Sequence, residues 1–399
     1  MIPAPAGLPP GAPLGAEGYR LEVRDGDARI EAETAAGRFY AEQTLRRLPA
    51  GDVSIADRPR FAWRGFMLDV ARHFFGVADV CRVIDHLAAY KLNVLHLHLS
   101  DDQGWRIAVG AWPRLTEHGD FYTHDDLRAI VRHAADRHVT VVPEVDAPGH
   151  VQAAIAAYPE LGMPGSSTER YFGTEVGFSS LDVHSALTYR FLGDVFGELA
   201  ALTPGPFLHV GGDEAHSTSR GDYLAFMERV QPLVAKHGKR LIGWEEVASA
   251  PLAEGAVVQH WKEADLARTA AEQGAQLVMS PADRVYLDMK YDPETPLGLD
   301  WAGHVELRDS YEWDPAELVD GVREERILGV EAPLWTETIT TRGELETMLL
   351  PRLCAVAEVA WSPRSARDWE GFRARVAAEG GRWDAAGVAY HRSPQVDWR

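Results

Sequence analysis

From residue 60 onward, short apolar runs alternate with stretches whose apolar residues recur at helical spacing. RGFMLDVA reads as a first strand. VADVCRVIDHLAAYK follows as a helix, with Val77, Val80, Cys81, Ile84, Leu87 and Ala88 on one face at the helical period. LNVLHLHLS predicts a second strand, HDDLRAIVRHAADRH a helix and VTVVPEVDA a third strand. Beyond a long insertion, ALTYRFLGDVFGELAAL predicts a helix and PFLHVGGDE a fourth strand. DYLAFMERVQPLVAKHG and KRLIGWEEV give a helix and a fifth strand, VVQHW a sixth, ADLARTAAEQG a helix and AQLVMSP a seventh. DPAELVDGVREER predicts a helix and ILGVEAPLWTE an eighth strand, and ELETMLLPRLCAVAEVAW closes the chain with a helical pattern. Eight strands, nearly all separated by helices, are the arithmetic of an α/β (β/α)8 TIM barrel.

The pattern before residue 60 is different. Residues 1–17 carry Pro and Gly in place of periodicity and predict a disordered tail. YRLEV, the turn DGD and ARIEAET predict a hairpin, because Asp-Gly supplies the positive φ angles of a tight turn. GRFYAEQTLRRL then reads as a helix. This truncated ββα (α+β) unit, residues 18–57, is too small to be stable alone and must lean on the barrel that occupies 58–399.

Chemistry in such barrels sits at the C-terminal ends of the strands. Taken in order, those ends carry Asp69 and Arg72, Asp101 and Asp102, then Glu144, Asp146 and His150. Asp213 and Glu214 follow, then Trp244 and Glu245, His260 and Trp261, and finally Trp335 and Glu337. Polar and aromatic residues thus collect where a barrel keeps its active site.

Composition narrows the substrate. The 399 residues hold 60 acids against 40 bases, a formal charge of −20. Such a surface repels nucleic acid and anionic membrane and favours a neutral or cationic substrate. No segment reaches the roughly 20 apolar residues that span a bilayer. MIPAPAGLPPGAPLG has Pro and Gly where a signal peptide needs a basic patch and an apolar run, so the expectation is a cytoplasmic protein as written, or a secreted one if the start lies upstream. Cys81 and Cys354 lie in apolar helical patterns and read as buried thiols, not a disulfide.

HVGGDEAH places Asp213 beside Glu214. Adjacent residues on a strand point to opposite faces, which suits poorly a pair of carboxylates about 5 Å apart across one scissile bond. It suits better one acid that protonates a leaving group and another that orients a second group near the same carbon. The bland alternative is a polar strand end. Trp244, Trp261, Trp301 and Trp335 fall at strand ends or the loops after them, where indole faces can wall a sugar pocket; singly, each could equally be core. LHLHLS puts His96 and His98 on one face, and His150, His209 and His260 end or line other strands. A zinc hydrolase is the rival reading, but its His-x-His belongs on the first strand, and no lysine follows the fourth. Neutral histidines bonded to nearby carboxylates fit better. No phosphate-binding Gly loop and no Gly-x-Ser-x-Gly elbow occurs.

RGFMLDVARHF, KLNVLHLHLSDDQGWRI, PEVDAPGH, HVGGDEAH, YLDMKY and LGVEAPLWTE together resemble the signature blocks of the family-20 glycoside hydrolases, the β-N-acetylhexosaminidases, in order from about residue 58 to 363. Residues 18–55 resemble only the last part of the accessory domain that usually precedes that barrel. The resemblance implies an exo-acting, retaining enzyme without metal or cofactor. Such an enzyme would act on N-acetylhexosamine-terminated oligosaccharides or glycoconjugates, with the substrate's own acetamido oxygen as nucleophile. It implies Glu214 as general acid and base, Asp213 on the acetamido N–H and Tyr286 on the acetamido oxygen. Trp244, Trp261 and Trp335 would wall the acetamido pocket. Arg72, Asp288 and Glu337 would bind ring hydroxyls, and Trp301 would carry the next sugar. Asp146 and His150 would set the proton balance of Glu214, whose pKa should be raised for acid catalysis. A carbohydrate-binding protein on a dead barrel is the remaining alternative, disfavoured by the intact Asp213–Glu214–Tyr286 set.

Overall fold

A computed structural model describes residues 3–9 and 11–398. Its first unit is a three-stranded antiparallel sheet ordered β2-β1-β3, from β1 (Tyr19–Arg24), β2 (Asp27–Ala32) and β3 (Val53–Asp57), with helix α1 (Ala35–Leu45) against it. The strand β3 was not expected; VSIAD is too short and too polar to stand out in the pattern. Eight parallel strands then close into a barrel: β4 (Trp63–Asp69), β5 (Val94–His98), β6 (Thr140–Glu144), β7 (Phe207–His209), β8 (Arg240–Trp244), β9 (Val257–His260), β10 (Gln276–Met279) and β11 (Ile327–Leu334). Strand β11 returns to pair with β4, with Gly329 opposite Trp63. Around them lie α2 (Val77–Ala89), α3 (His124–Ala135), α4 (Gln152–Ala157), α5 (Ala186–Leu202), α6 (Arg220–Lys236), α7 (Ala264–Glu272), α8 (Ala282–Val285), α9 (Arg342–Leu349), α10 (Arg352–Trp361) and α11 (Trp369–Ala386).

Helix α2 buries Val80, Val83, Ile84, Leu87 and Ala88, one step round from the expected stripe, and leaves Val77 and Cys81 half-buried. Cys81 and Cys354 are both free thiols. Three expectations fail for identifiable reasons. DPAELVDGVREER does not form a helix: Asp314 accepts from the Ala316 N–H and from Arg60 and Arg367, which fixes a turn, and Gly321 follows at φ +85°. The closing pattern splits into α9 and α10 at Pro351, which has no N–H to continue the first helix. And α11, started by an Asp368 cap on the Gly371 N–H, extends beyond the last apolar run that the sequence pattern picks out.

The tail is also not a loose one. Among its described residues, Ala4 N–H donates to Glu358, Ala6 N–H to Asp57 and Leu8 N–H to the Ala56 carbonyl, while Ala4 and Leu14 are buried. Pro and Gly here disfavour helix, yet an extended strip with paired donors and two buried apolar side chains still orders.

Inside the barrel, each strand gives one residue to an apolar plug near the strand starts: Trp63, Val94, Val142, Phe207, Ile242, Val257, Val278 and Leu328. Above the plug the lining turns polar. Glu331 accepts from Trp63 Nε1, from Gln259 and from His96, and Glu144 meets His96, His98, His209 and Trp244. That polar layer is the floor on which the catalytic end is built.

Candidate active site

The loop after β7 carries the adjacent acids Asp213 and Glu214. Strand β7 ends at His209, so Asp213 and Glu214 lie beyond it, and strand alternation is not what separates them. The separation comes from a left-handed turn: Gly211 at φ +68°, Gly212 at +101° and Glu214 itself at +44°. A Cβ on Gly211 would fall 1.8 Å from Asp146 Oδ1, so only glycine lets the loop pass that close. The Gly212 N–H donates to the same Asp146 oxygen at 2.9 Å.

His150, also left-handed at φ +55°, stands behind both acids. Its Nε2 lies 3.5 Å from Glu214 Oε2 and 3.6 Å from Asp213 Oδ2, and its Nδ1 lies 3.2 Å from Asp101 Oδ1. Burial opposes charge on this imidazole, but Asp101 and Asp213 outweigh it and hold its pKa well above the ordinary value. Burial pushes Glu214 up as well; the hydrogen bond and charge of His150 win, and its pKa lies below the usual carboxylate value. The raised pKa expected of Glu214 is therefore not found, because the charge of His150 beside it favours the carboxylate.

Asp146 does not face Glu214 as expected. It lies beneath Asp213, with the buried atoms Asp146 Oδ2 and Asp213 Oδ1 both lacking hydrogen-bond partners. Burial raises both acids, Asp146 to about 7; the Glu144 charge adds to the rise of Asp146 and the Asp146 charge to that of Asp213, against the pull of His150 on both, so the pair keeps a proton toward neutral pH.

A cavity of about 210 Å³ opens above these groups. One wall has His150, Asp213 and Glu214; facing side chains are Trp261, Tyr286, Trp301 and Trp335; Arg72, Asp288 and Glu337 complete it. The aromatic rings touch in sequence: Trp261 stacks with Tyr286 at 6.5 Å, and Trp301 stands edge-on to both. Trp244 is 5.8 Å from Trp335 and donates to Glu144, buried behind the wall and not among the side chains that line the cavity. Arg72 bonds Asp101 at 2.8 Å and lies 4.9 Å from the Trp335 ring centre. Asp288 keeps both buried oxygens unpaired, and burial with the nearby Glu337 charge pushes its pKa far up.

Asp101 is the site residue that sequence reasoning named as a strand-end acid and gave no role. It joins Arg72, His98 and His150 in one network, and burial notwithstanding, Arg72 and His150 hold its pKa far below the ordinary carboxylate value. A lone arginine at a pocket floor implies such a counter-ion, which is the signal that could have found it. Loop residues Thr174, Val176 and Lys262 also line the cavity and gave no signal.

The histidines read as ion-pair partners. His96 turns Nδ1 to Glu331 at 2.8 Å and Nε2 to Glu144 at 2.9 Å; burial is outweighed and its pKa rises to about 9. His96, Glu144 and His209 converge within 4.8 Å, but both His96 nitrogens already face carboxylates, so a metal there would have to displace one of those bonds.

Residues 61–364 match the glycosyl hydrolase family 20 catalytic domain, and residues 6–57 match domain 2 of the same family. The chain is 48% identical to a β-N-acetylhexosaminidase of Cellulomonas fimi, covering 97% of this chain and 82% of that protein. It is 34% identical to a β-hexosaminidase of Porphyromonas gingivalis, of which it spans 56%. The Streptomyces plicatus N-acetyl-β-hexosaminidase, solved in complex with Thio-NAglucal, superposes with a TM-score of 0.95 at 51% identity, over 98% of this chain and 84% of that one. With the catalytic-domain match spanning the closed parallel barrel and these relatives covered over most of their length, the chain belongs to glycosyl hydrolase family 20 and is a glycoside hydrolase.

Proposed function

We propose that this enzyme is an exo-acting, retaining β-N-acetylhexosaminidase that uses the acetamido group of its substrate as nucleophile. The observation that carries the reading is the pairing of Asp213 and Glu214 on one left-handed turn, each with a different neighbour. Glu214, protonated when substrate is bound, gives its proton to the leaving oxygen and then, as a carboxylate, takes one from the attacking water, while His150, 3.5 Å away and facing Asp101, keeps its own. Substrate covering the carboxylate removes water and raises its pKa toward what an acid catalyst needs. Asp213 accepts from the acetamido N–H and balances the positive charge as the acetamido oxygen closes on the anomeric carbon. Tyr286 donates to that oxygen, and Trp261 and Trp335, backed by Trp244, hold the methyl. The second displacement, by water on the same face as the departed group, gives retention.

Arg72, Asp288 and Glu337 take the ring hydroxyls at the closed end. Asp288, buried with unpaired oxygens, has bonds to give to a sugar and none to give up. A cavity of about 210 Å³ is of a size for a single terminal sugar, which supports exo action. The names of the similar proteins support N-acetylhexosamine as that sugar. The test compares release from the 4-nitrophenyl β-glycosides of N-acetylglucosamine and of glucose, with and without a strong chelator. Release from the acetamido sugar alone, indifferent to the chelator, is the expected result. Equal release from both would remove the acetamido mechanism, and loss on chelation would restore a metal.

A further inference from the structure

Among the described residues, four large apolar side chains stand in solvent: Phe172 at 73% exposure, Trp301 at 51%, Phe178 at 40% and Val176 at 39%. They are not scattered. Val176 and Trp301 line the mouth of the catalytic cavity, and Phe172 and Phe178 belong to the same short loop as Val176. Isolated exposed apolar residues need no explanation, but a cluster around a pocket marks a binding surface.

The loop is fixed in place. Glu175 N–H donates to the Tyr171 hydroxyl at 2.7 Å, and the Tyr171 and Phe178 rings lie 4.6 Å apart. Gln103 joins it to the sugar-binding floor: its Oε1 accepts from Arg72 Nε at 3.2 Å while its Nε2 donates to the Gly173 carbonyl at 2.8 Å. Ser217, three residues after Glu214, donates to the Gly177 carbonyl at 2.7 Å. One anchor therefore reaches the residue that holds the terminal sugar and the other the loop of the acid. Phe172 stands next to the Gly173 anchor, with the Arg170 guanidinium 4.8 Å from its ring centre.

Resting on the function proposed above, we infer that Phe172 is the outer platform of a leaving-side binding site for β-linked amino-sugar oligosaccharides longer than a disaccharide. The direction follows from Glu214: Thr174 and Val176 share the cavity with the carboxylate that meets the leaving oxygen, so whatever departs does so past this loop. Trp301 and Val176 flank the first sugar on that side, and the Phe172 ring, two residues before Thr174, meets the one beyond it. The apolar face of a pyranose suits an aromatic ring, and uncharged acetamido sugars suit a chain of net charge −20. Because the residue after Phe172 is held by Gln103 and the loop again at Gly177, little ordering opposes binding.

The test measures kcat/KM for the 4-nitrophenyl acetamido glycoside, chitobiose and chitotetraose in the wild type, Phe172→Ala and Phe172→Trp. In Phe172→Ala the ratio of chitotetraose to aryl glycoside falls roughly three- to tenfold, through KM, the size of one aromatic contact. Phe172→Trp restores it. A ratio that is the same in all three proteins overturns the platform, and so does a Phe172→Ala protein whose main change is loss of self-association in sedimentation. A wild type inactive on every acetamido glycoside overturns the underlying function instead, so the two failures are distinguishable.

Discussion

Where the barrel strands begin, Asp57, Lys91, Tyr19 and Trp361 form one closed cluster: Asp57 accepts from Tyr19, Lys91, the Trp361 indole and the Ala6 N–H. Beside it Arg64 is fully buried, donating to Glu17, the Tyr40 hydroxyl and the Lys91 and Phe61 carbonyls. Where the strands finish, Asp213 and Asp288 are buried as well and line the cavity, yet each leaves an oxygen unpaired. Both ends put charge out of water, at similar cost per group. At the lower end the cost is met by partners within the chain, and the result is a joint between accessory unit and barrel. At the upper end the partners are missing, and a ligand has to bring them. The contrast separates polar burial that builds from polar burial that waits.

The largest way to break the contrast is at the upper end. Glu214→Gln keeps the shape of the side chain and removes its proton, so kcat on a natural disaccharide should fall about 10²- to 10⁴-fold, with the unfolding temperature little changed. A 4-nitrophenyl leaving group, needing less protonation, should lose much less. Steady-state rates on the two substrates check this.

Which of these groups could be read from the chain follows the same division. The barrel strands were legible because apolar runs record burial, and most site residues because they end those runs. What failed was set by partners distant in sequence. Asp314 holds residues 314–326 out of a helix through Arg60 and Arg367, and the tail is ordered through Glu358 and Asp57. Asp146 was legible as a site acid but assigned to the wrong neighbour, since only the fold brings Gly211 and Gly212 over it and turns it to Asp213.

The next comparison removes one acid at each end. Asp57→Ala leaves Lys91 buried without its counter-ion and should cost about 3–5 kcal/mol, seen as a lower urea midpoint. Asp288→Asn removes a buried acid that has no partner and should leave the empty enzyme as stable or about 1 kcal/mol more so. Its loss should appear in KM, since the amide cannot accept on both atoms from sugar hydroxyls. If both variants lose stability equally, the division drawn between the two ends is wrong.

The smallest effect is the most specific to the Asp146–Asp213 pair. An unfolded carboxyl of this kind loses its proton near 3.8, whereas Asp146, raised by burial and then by the Glu144 charge against the pull of His150, keeps one to about 7. Between those values the native state binds more protons than the unfolded chain, so this pair makes stability fall as pH rises, and the fall ends once pH passes about 7. Asp146→Asn cannot titrate, and the difference in unfolding temperature between variant and wild type should drift in the variant's favour from pH 5 to pH 8. For a chain this long, a drift of order 1 kcal/mol is roughly 2 °C. A difference that stays constant across that range would mean the two carboxylates do not share a proton. Asp213 would then ionise on its own, and the floor of the catalytic site would be an ordinary partnered cluster like the one at the other end of the barrel.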